Sequence, residues 1–202
     1  MLFWKLAQTL HSKPLTINLT NYVCYRKDRI DGRQGGGIAV YVRQNLSCTR
    51  LESLEVPDLE TVWILYRAHK MPRNLSHILI GAVYHPPNGN NRNMVTHILN
   101  CLDRCTKDHP NLGILLMGDF NSLPDTLLKG FPLKQIVRVP TRGQAILDKI
   151  YTNIADWFNN PVILPAIGKS DHQTVMAYST SNPNWLPGED ITVHRRVCDR
   201  NS

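Results

Sequence analysis

The chain has 202 residues, 42% of them hydrophobic and 19% charged, with a formal net charge of +7 at pH 7. That length suits one domain with a real core and is short for two, and the ordinary apolar content excludes a disordered or fibrous chain. No stretch approaches a membrane span, and the basic balance suits a polyanionic partner such as nucleic acid, without an RNP, zinc-finger or helix-turn-helix signature.

The five cysteines, Cys24, Cys48, Cys101, Cys105 and Cys198, are odd in number and widely spaced. They read as unpaired thiols of a reducing compartment, since no second His/Cys pair joins Cys101 and Cys105 to complete a zinc site. Residues 1–10 are too short and too poorly organised for a signal peptide, so the glycosylation acceptors at Asn18, Asn45 and Asn74 carry no weight. An intracellular, non-secreted protein with no membrane partner is expected.

Residues 1–16 show no clear pattern. A short strand is predicted over 22–25, then a charged loop over 26–34. Gly35, Gly36 and Gly37 open a buried strand at 38–42. No helix follows these glycines, which excludes a P-loop and leaves backbone clearance at the strand start as their use. Strands are predicted at 61–66 and 77–84, joined by the polar turn around Pro72, Arg73 and Asn74. The loop Tyr84-His85-Pro86-Pro87-Asn88-Gly89 admits neither helix nor strand. Val95, Ile98, Leu99 and Leu102 then recur at helical spacing, and Pro110 closes that segment.

The next strand begins at Ile114 and ends at Gly118-Asp119-Phe120-Asn121. Alternation along a strand points Asp119 and Asn121 the same way and Phe120 back into the core. A hard oxygen ligand or proton acceptor then stands beside a neutral hydrogen-bonding group, a pairing that phosphate-ester chemistry with a divalent metal uses. An Asx turn that merely ends the strand accounts for the same residues. Beyond it, 133–139 reads as extended, 147–151 as a short strand carrying Asp148, and 162–164 as another. The loop over 168–172 precedes a closing strand at 174–178, and the chain turns polar from Ser179. Many strands, one helix and no regular βαβ alternation give an α+β fold.

Five motifs in this order resemble the endonuclease/exonuclease/phosphatase family, closest to the nuclease domain of LINE-type (non-LTR) retrotransposon polyproteins. They are Arg33 to Tyr41 (RQGGGIAVY), Val83 to Asn88 (VYHPPN), Gly118-Asp119-Phe120-Asn121, Pro140-Thr141-Arg142 with Leu147-Asp148-Lys149-Ile150-Tyr151, and Ser170-Asp171-His172. The resemblance covers residues 17–178, and with the segments flanking it divides the chain into 1–16, a domain over 17–180 and a basic tail over 181–202. It implies a four-layer α/β/β/α sandwich lacking its first strands. It also implies a Mg²⁺-dependent DNA endonuclease, with Mn²⁺ as an alternative, that nicks to leave a 3′-hydroxyl for reverse transcription. In that reading His172 sits at the scissile phosphate, Asp148 fixes its tautomer, and Asp119 orients or deprotonates water. Asn121 and Tyr84 complete the catalytic set. Asn88, Arg33, Thr141 and Arg142 contact phosphate or DNA, and Asp171 lies at the metal. A working enzyme would act in the nucleus.

The family's first strands carry an Asn and then a Glu that is the principal metal ligand. No glutamate precedes Glu52 here, so residues 1–16 are expected to replace roughly 40–60 residues of opening strands, by the usual size of a domain. That predicts an impaired site, with Asp28, Asp31 and Glu52 as substitutes no motif supports. The reverse transcriptase to which such domains are fused has no counterpart in these residues. Two other readings remain open at this point: a non-catalytic nucleic-acid-binding remnant, and another phosphodiesterase of the same family.

Overall fold

A computed structural model describes residues 3–5, 19–29, 37–69, 71–72, 74–128, 130–167 and 170–180. Asp31, Arg33, Gly35, Gly36, most of the 1–16 segment and the 181–202 tail lie outside the described residues. Among the described residues the strands are β1 (Phe3–Lys5), β2 (Tyr22–Lys27), β3 (Ile38–Arg43), β4 (Cys48–Arg50), β5 (Glu60–Tyr66), β6 (Ile78–Tyr84), β7 (Gly113–Asp119), β8 (Lys134–Gln135), β9 (Asp148–Thr152), β10 (Val162–Leu164) and β11 (Thr174–Met176), with one α-helix, α1 (Asn91–Asp108), between β6 and β7.

Six strands form the main sheet in the order β4-β5-β6-β7-β9-β8. Its pairs are antiparallel except β6 with β7, which run parallel because α1 carries the chain back across one face. Asn90 caps α1 by accepting the Asn93 N–H at 3.0 Å. The helix turns Met94, Val95, Ile98, Cys101, Leu102 and Cys105 inward, against Trp63, Leu79, Val83, Leu116 and Phe120. The opposite face of the sheet carries Val62, Ile64, Ile80, Ala82, Leu115, Met117 and Ile150, and these meet Ile38, Val40 and Val42 of β3. Strand β3 is the centre of a second, antiparallel sheet ordered β1-β3-β2. The hairpin-like pair β10-β11 stands apart from it, with Ile163 and Val175 on the same inter-sheet core.

The expected strands, helix and α+β class are present. The described residues supply three layers: α1, the main sheet and the broken second sheet. Several expected bounds move. The strand expected at 22–25 runs on to Lys27, because β3 pairs with it along its whole length. The extended stretch at 133–139 yields only two paired residues, since β8 is an edge with a single neighbour. The last strand pairs with β10 and not with the main sheet. Strand β4 is too short, with too little apolar alternation, to be read from sequence.

Packing is tightest where β7 meets β6. Gly118 has φ +146°, and a Cβ there would lie 1.8 Å from the Val83 carbonyl oxygen. Backbone cannot retreat as a flexible side chain can, so only glycine fits. We expect Gly118→Ala to cost more than about 4 kcal/mol, the range of a diagnostic core defect, read as loss of a cooperative urea transition at 25 °C. A stability loss under 1 kcal/mol would refute this close approach.

Candidate active site

The register of the main sheet lines up four polar residues. Glu60 begins β5, Tyr84 ends β6, Asp119 ends β7 and Asp148 begins β9. Their pairings run Glu60 with Tyr84, Tyr84 with Asp119, and Asp119 with Asp148. Two residues further along each strand, on the same face, comes the row Val62, Ala82, Met117 and Ile150, all in the inter-sheet core. The polar row is therefore the rim of that core, at one end of the sheet, and its backbone is held by ladder bonds.

His172 reaches this rim from the loop before β11. Its Nδ1 lies 2.8 Å from Asp148 Oδ2, with both residues buried. The hydrogen bond to Asp148 raises the imidazole above its ordinary value of 6.5, against the opposing effect of burial, with Asp119 and Asp171 adding to the rise. Donation of Nδ1–H to the carboxylate fixes the tautomer and leaves Nε2 for chemistry.

Thr141 holds Asp148 from behind. Its side chain is fully buried, and Oγ1 accepts the N–H groups of Leu147 and Asp148, each at 3.1 Å. Its carbonyl accepts the Gln173 N–H at 2.8 Å. One residue thus ties the start of β9 to the loop that carries His172. Beside it Arg142 pairs with Asp171 on the exposed surface.

Asp119 is fully buried, and its Oδ1 accepts the Asn121 N–H at 3.0 Å. This is the Asx turn that the sequence allows, and it coexists with the cluster. Asn121 does not continue the strand alternation: it sits at φ +43°, and its Nδ2 donates to the His85 carbonyl at 2.8 Å. The His85 N–H returns a bond to the Asp119 carbonyl at 2.8 Å. The His85 ring is buried, 2.7 Å through Nε2 from Asn91 Oδ1, and Gly89 packs where a Cβ would be 2.6 Å from its Cε1. Asn88 is exposed on this loop.

Of the residues expected from sequence, Asp119, Asn121, Asp148, His172 and Tyr84 share one sheet end. Thr141 supports them from within, while Arg142, Asp171 and Asn88 lie on the surface around them. Arg33 lies outside the described residues. Sequence reasoning missed Glu60, Arg29 and His85. A carboxylate two positions before Val62 and four before Ile64, on their face, was the one available signal for Glu60.

The model of the endonuclease/exonuclease/phosphatase family matches residues 3–172, and the chain belongs to that family. Among solved structures it is similar to the endonuclease domain of TRAS1, a telomere-specific non-LTR retrotransposon. That match has a TM-score of 0.63 and 15% identity, and covers 80% of this chain and 81% of the other. A family member from Leptotrichia buccalis matches with a TM-score of 0.54 and 16% identity over 80% and 72% of the two chains. D. rerio TDP2 in complex with a single-strand DNA product gives 0.52 and 8% over 76% and 74%. At these identities the likeness is one of fold. No curated protein matches the chain in sequence.

The family is generally dependent on a divalent metal. Among the described residues, Asp119, Asp148 and His172 place one ligand atom each within 4.8 Å of one another. Two carboxylates at one rim fit a hard divalent ion. The His172 Nδ1–Asp148 bond engages one oxygen of Asp148, and the residues that would hold the ion are Asp119 and Asp148, the hard oxygen donors of the cluster. Asp171 faces Arg142 instead. Among the described substitutes, Asp28 pairs with Arg26 and Glu52 is exposed beside Arg50.

Two outcomes follow from these bonds. Thr141→Val strands the buried Asp148 N–H and the part-buried Leu147 N–H and should lower stability by about 1–3 kcal/mol, whereas Thr141→Ser stays near wild type in denaturant titration. An equal loss in both would mean that the hydroxyl is not the acceptor. In metal-free buffer the His172 ring should titrate above 6.5 by NMR and drop in Asp148→Asn. Its contribution to stability is then complete below pH about 6.5 and fades as pH rises through the raised value. An unmoved midpoint in Asp148→Asn would refute the pairing.

Proposed function

We propose that the chain is a retrotransposon-type DNA endonuclease domain. The observation that carries this reading is the buried Asp119–Asp148–His172 cluster on a sheet end shared with Tyr84 and Asn121. In the proposed reaction His172, oriented by Asp148, donates from Nε2 to a non-bridging phosphate oxygen or carries the proton of the leaving group. Asp119, fixed by the Asn121 N–H, orients and deprotonates the attacking water. One N–H of the Asn121 amide is committed to His85, and the second binds phosphate. Tyr84 and Asn88 contact the same ester. A divalent ion, Mg²⁺ or Mn²⁺, supplies charge neutralisation of the pentacovalent transition state and leaving oxygen.

A second reading, a non-catalytic remnant that binds nucleic acid through its charge, draws on the net charge of +7.

The test is nicking of supercoiled plasmid by the purified chain, in preparations with a cooperative melt. We expect nicking that requires Mg²⁺ and falls at least ~100-fold in His172→Ala, the smallest usual effect of removing a general acid or base. Equal nicking in EDTA or in His172→Ala would exclude this site as its source. A folded chain that binds DNA with steep salt dependence and never nicks would establish the remnant reading.

A further inference from the structure

Glu60 is a buried carboxylate in the same transverse row as Tyr84 and Asp119, and the proposed phosphate chemistry gives it nothing to do. Its two oxygens are turned towards the second layer. Oε1 accepts from Arg29 Nε at 2.8 Å, with Arg29 Nη2 also 2.8 Å away. Oε2 accepts the backbone N–H of Gly37. Gly37, at φ +87° just ahead of β3, can make this bond because it lacks a Cβ, which would lie 3.2 Å from the Lys27 carbonyl. Arg29 follows β2. Glu60 therefore fastens both strands of the β2–β3 pair, at the end where Lys27 meets Ile38, to the rim that holds the site.

The guanidinium so fixed lies against Tyr84, its Cζ 5.5 Å from the ring centroid. Burial pushes the Tyr84 phenol up, and a hydrogen bond from Arg29 works against that rise, while Asp119 acts on the ring from the other side. Tyr84 thus stands between a fixed cation and the buried carboxylate of Asp119. A buried ion pair contributes little net stability, because desolvation offsets its attraction. What a planar, two-pronged guanidinium on a carboxylate does supply is direction.

We propose that Arg29 and Glu60 are a positioning pair that orients the Tyr84 ring for contact with a DNA phosphodiester. The proposal rests on reading Tyr84 as a phosphate-contact residue, and it assigns neither Arg29 nor Glu60 a contact with the substrate. It also gives Glu60 a use other than substitute metal ligand, since both of its oxygens are engaged.

The experiment labels tyrosine rings with ¹³C, assigns the Tyr84 signal by its loss in Tyr84→Phe, and follows it in Glu60→Gln and in Arg29→Met/Glu60→Gln. The double variant leaves no buried charge unpaired and keeps an acceptor for the Gly37 N–H. In parallel, binding of a short DNA duplex is measured in EDTA, so that no turnover is needed. We expect the Tyr84 signal to move in both variants while the Tyr151 signal stays. Duplex affinity should fall about three- to tenfold, as in Tyr84→Phe, with no further loss when Tyr84→Phe is added, the signature of residues acting as one unit. Arg29→Lys, which keeps the charge without the fork, should give an intermediate shift and serves if the double variant does not fold. A stationary Tyr84 signal in a folded variant, or losses that add to that of Tyr84→Phe, would overturn the pair as a positioning device and leave it a structural bolt. A wild-type chain that does not bind the duplex would overturn DNA as the ligand, and the ring signal would still decide the positioning.

Discussion

The site depends on the register of β5, β6, β7 and β9. Ladder bonds place Glu60, Tyr84, Asp119 and Asp148 in one row, and the same bonds place Val62, Ala82, Met117 and Ile150 in the next. A slip of one residue in β7 would send Asp119 to the helix side and Leu116 to the inter-sheet side. A carboxylate would then face Trp63 and Phe120, at a desolvation cost of several kcal/mol that nothing there offsets. The two apolar faces of the sheet thus fix the position of the polar rim, and the tight crossing at Gly118 adds a stop that no other residue type could form. The core sets the geometry of this rim before any site residue makes a bond of its own.

His172 is held in a different way. It lies in a loop, and its placement relies on three bonds: Asp148 to its ring, the local Ser170 Oγ to its own N–H, and the Thr141 carbonyl to the N–H of the next residue, Gln173. The strand row is pinned by a sheet, and the imidazole by side-chain and loop bonds that can open locally without unfolding the domain. Thr141 joins the two systems, since its hydroxyl serves β9 and its carbonyl serves the loop. That arrangement explains why a residue expected to touch DNA is buried: it acts on the site through the backbone it clamps.

Much of this was legible in the residues. The apolar run ending at Asp119, the helical spacing of Val95, Ile98 and Leu102, and the polar ends at Asp148 and His172 all express local periodicity, and the fold keeps them. What the sequence did not reveal lies in relations between segments. Glu60 and Tyr84 are 24 positions apart, and only the β5–β6 register makes them neighbours. The orientation of Asn121 escaped because the strand ends at Asp119, two residues sooner than simple alternation assumes, and Asn121 itself is left-handed. The pairing of β11 with β10 was hidden because three-residue strands carry too few side chains to show which sheet they join.

Charge arrangement at the rim bears on how the site fails or works. Glu60 is matched by the Arg29 guanidinium, and Asp148 accepts the hydrogen bond of the His172 ring, so each of these carboxylates has a partner of its own. For Glu60 to serve a metal ion instead, it would have to give up Arg29 and the Gly37 N–H. That would leave a buried guanidinium facing Tyr84 without its partner, a cost that usually exceeds what the original pair contributed. Asp28 and Glu52 are exposed and lie beside arginines of their own. Among the carboxylates considered as metal ligands, Glu60, Asp28 and Glu52 lie beside arginines, while Asp119 and Asp148 stand at the cluster with His172. A divalent ion at this rim would therefore be held by Asp119 and Asp148, with Glu60 kept to Arg29 and the Gly37 N–H.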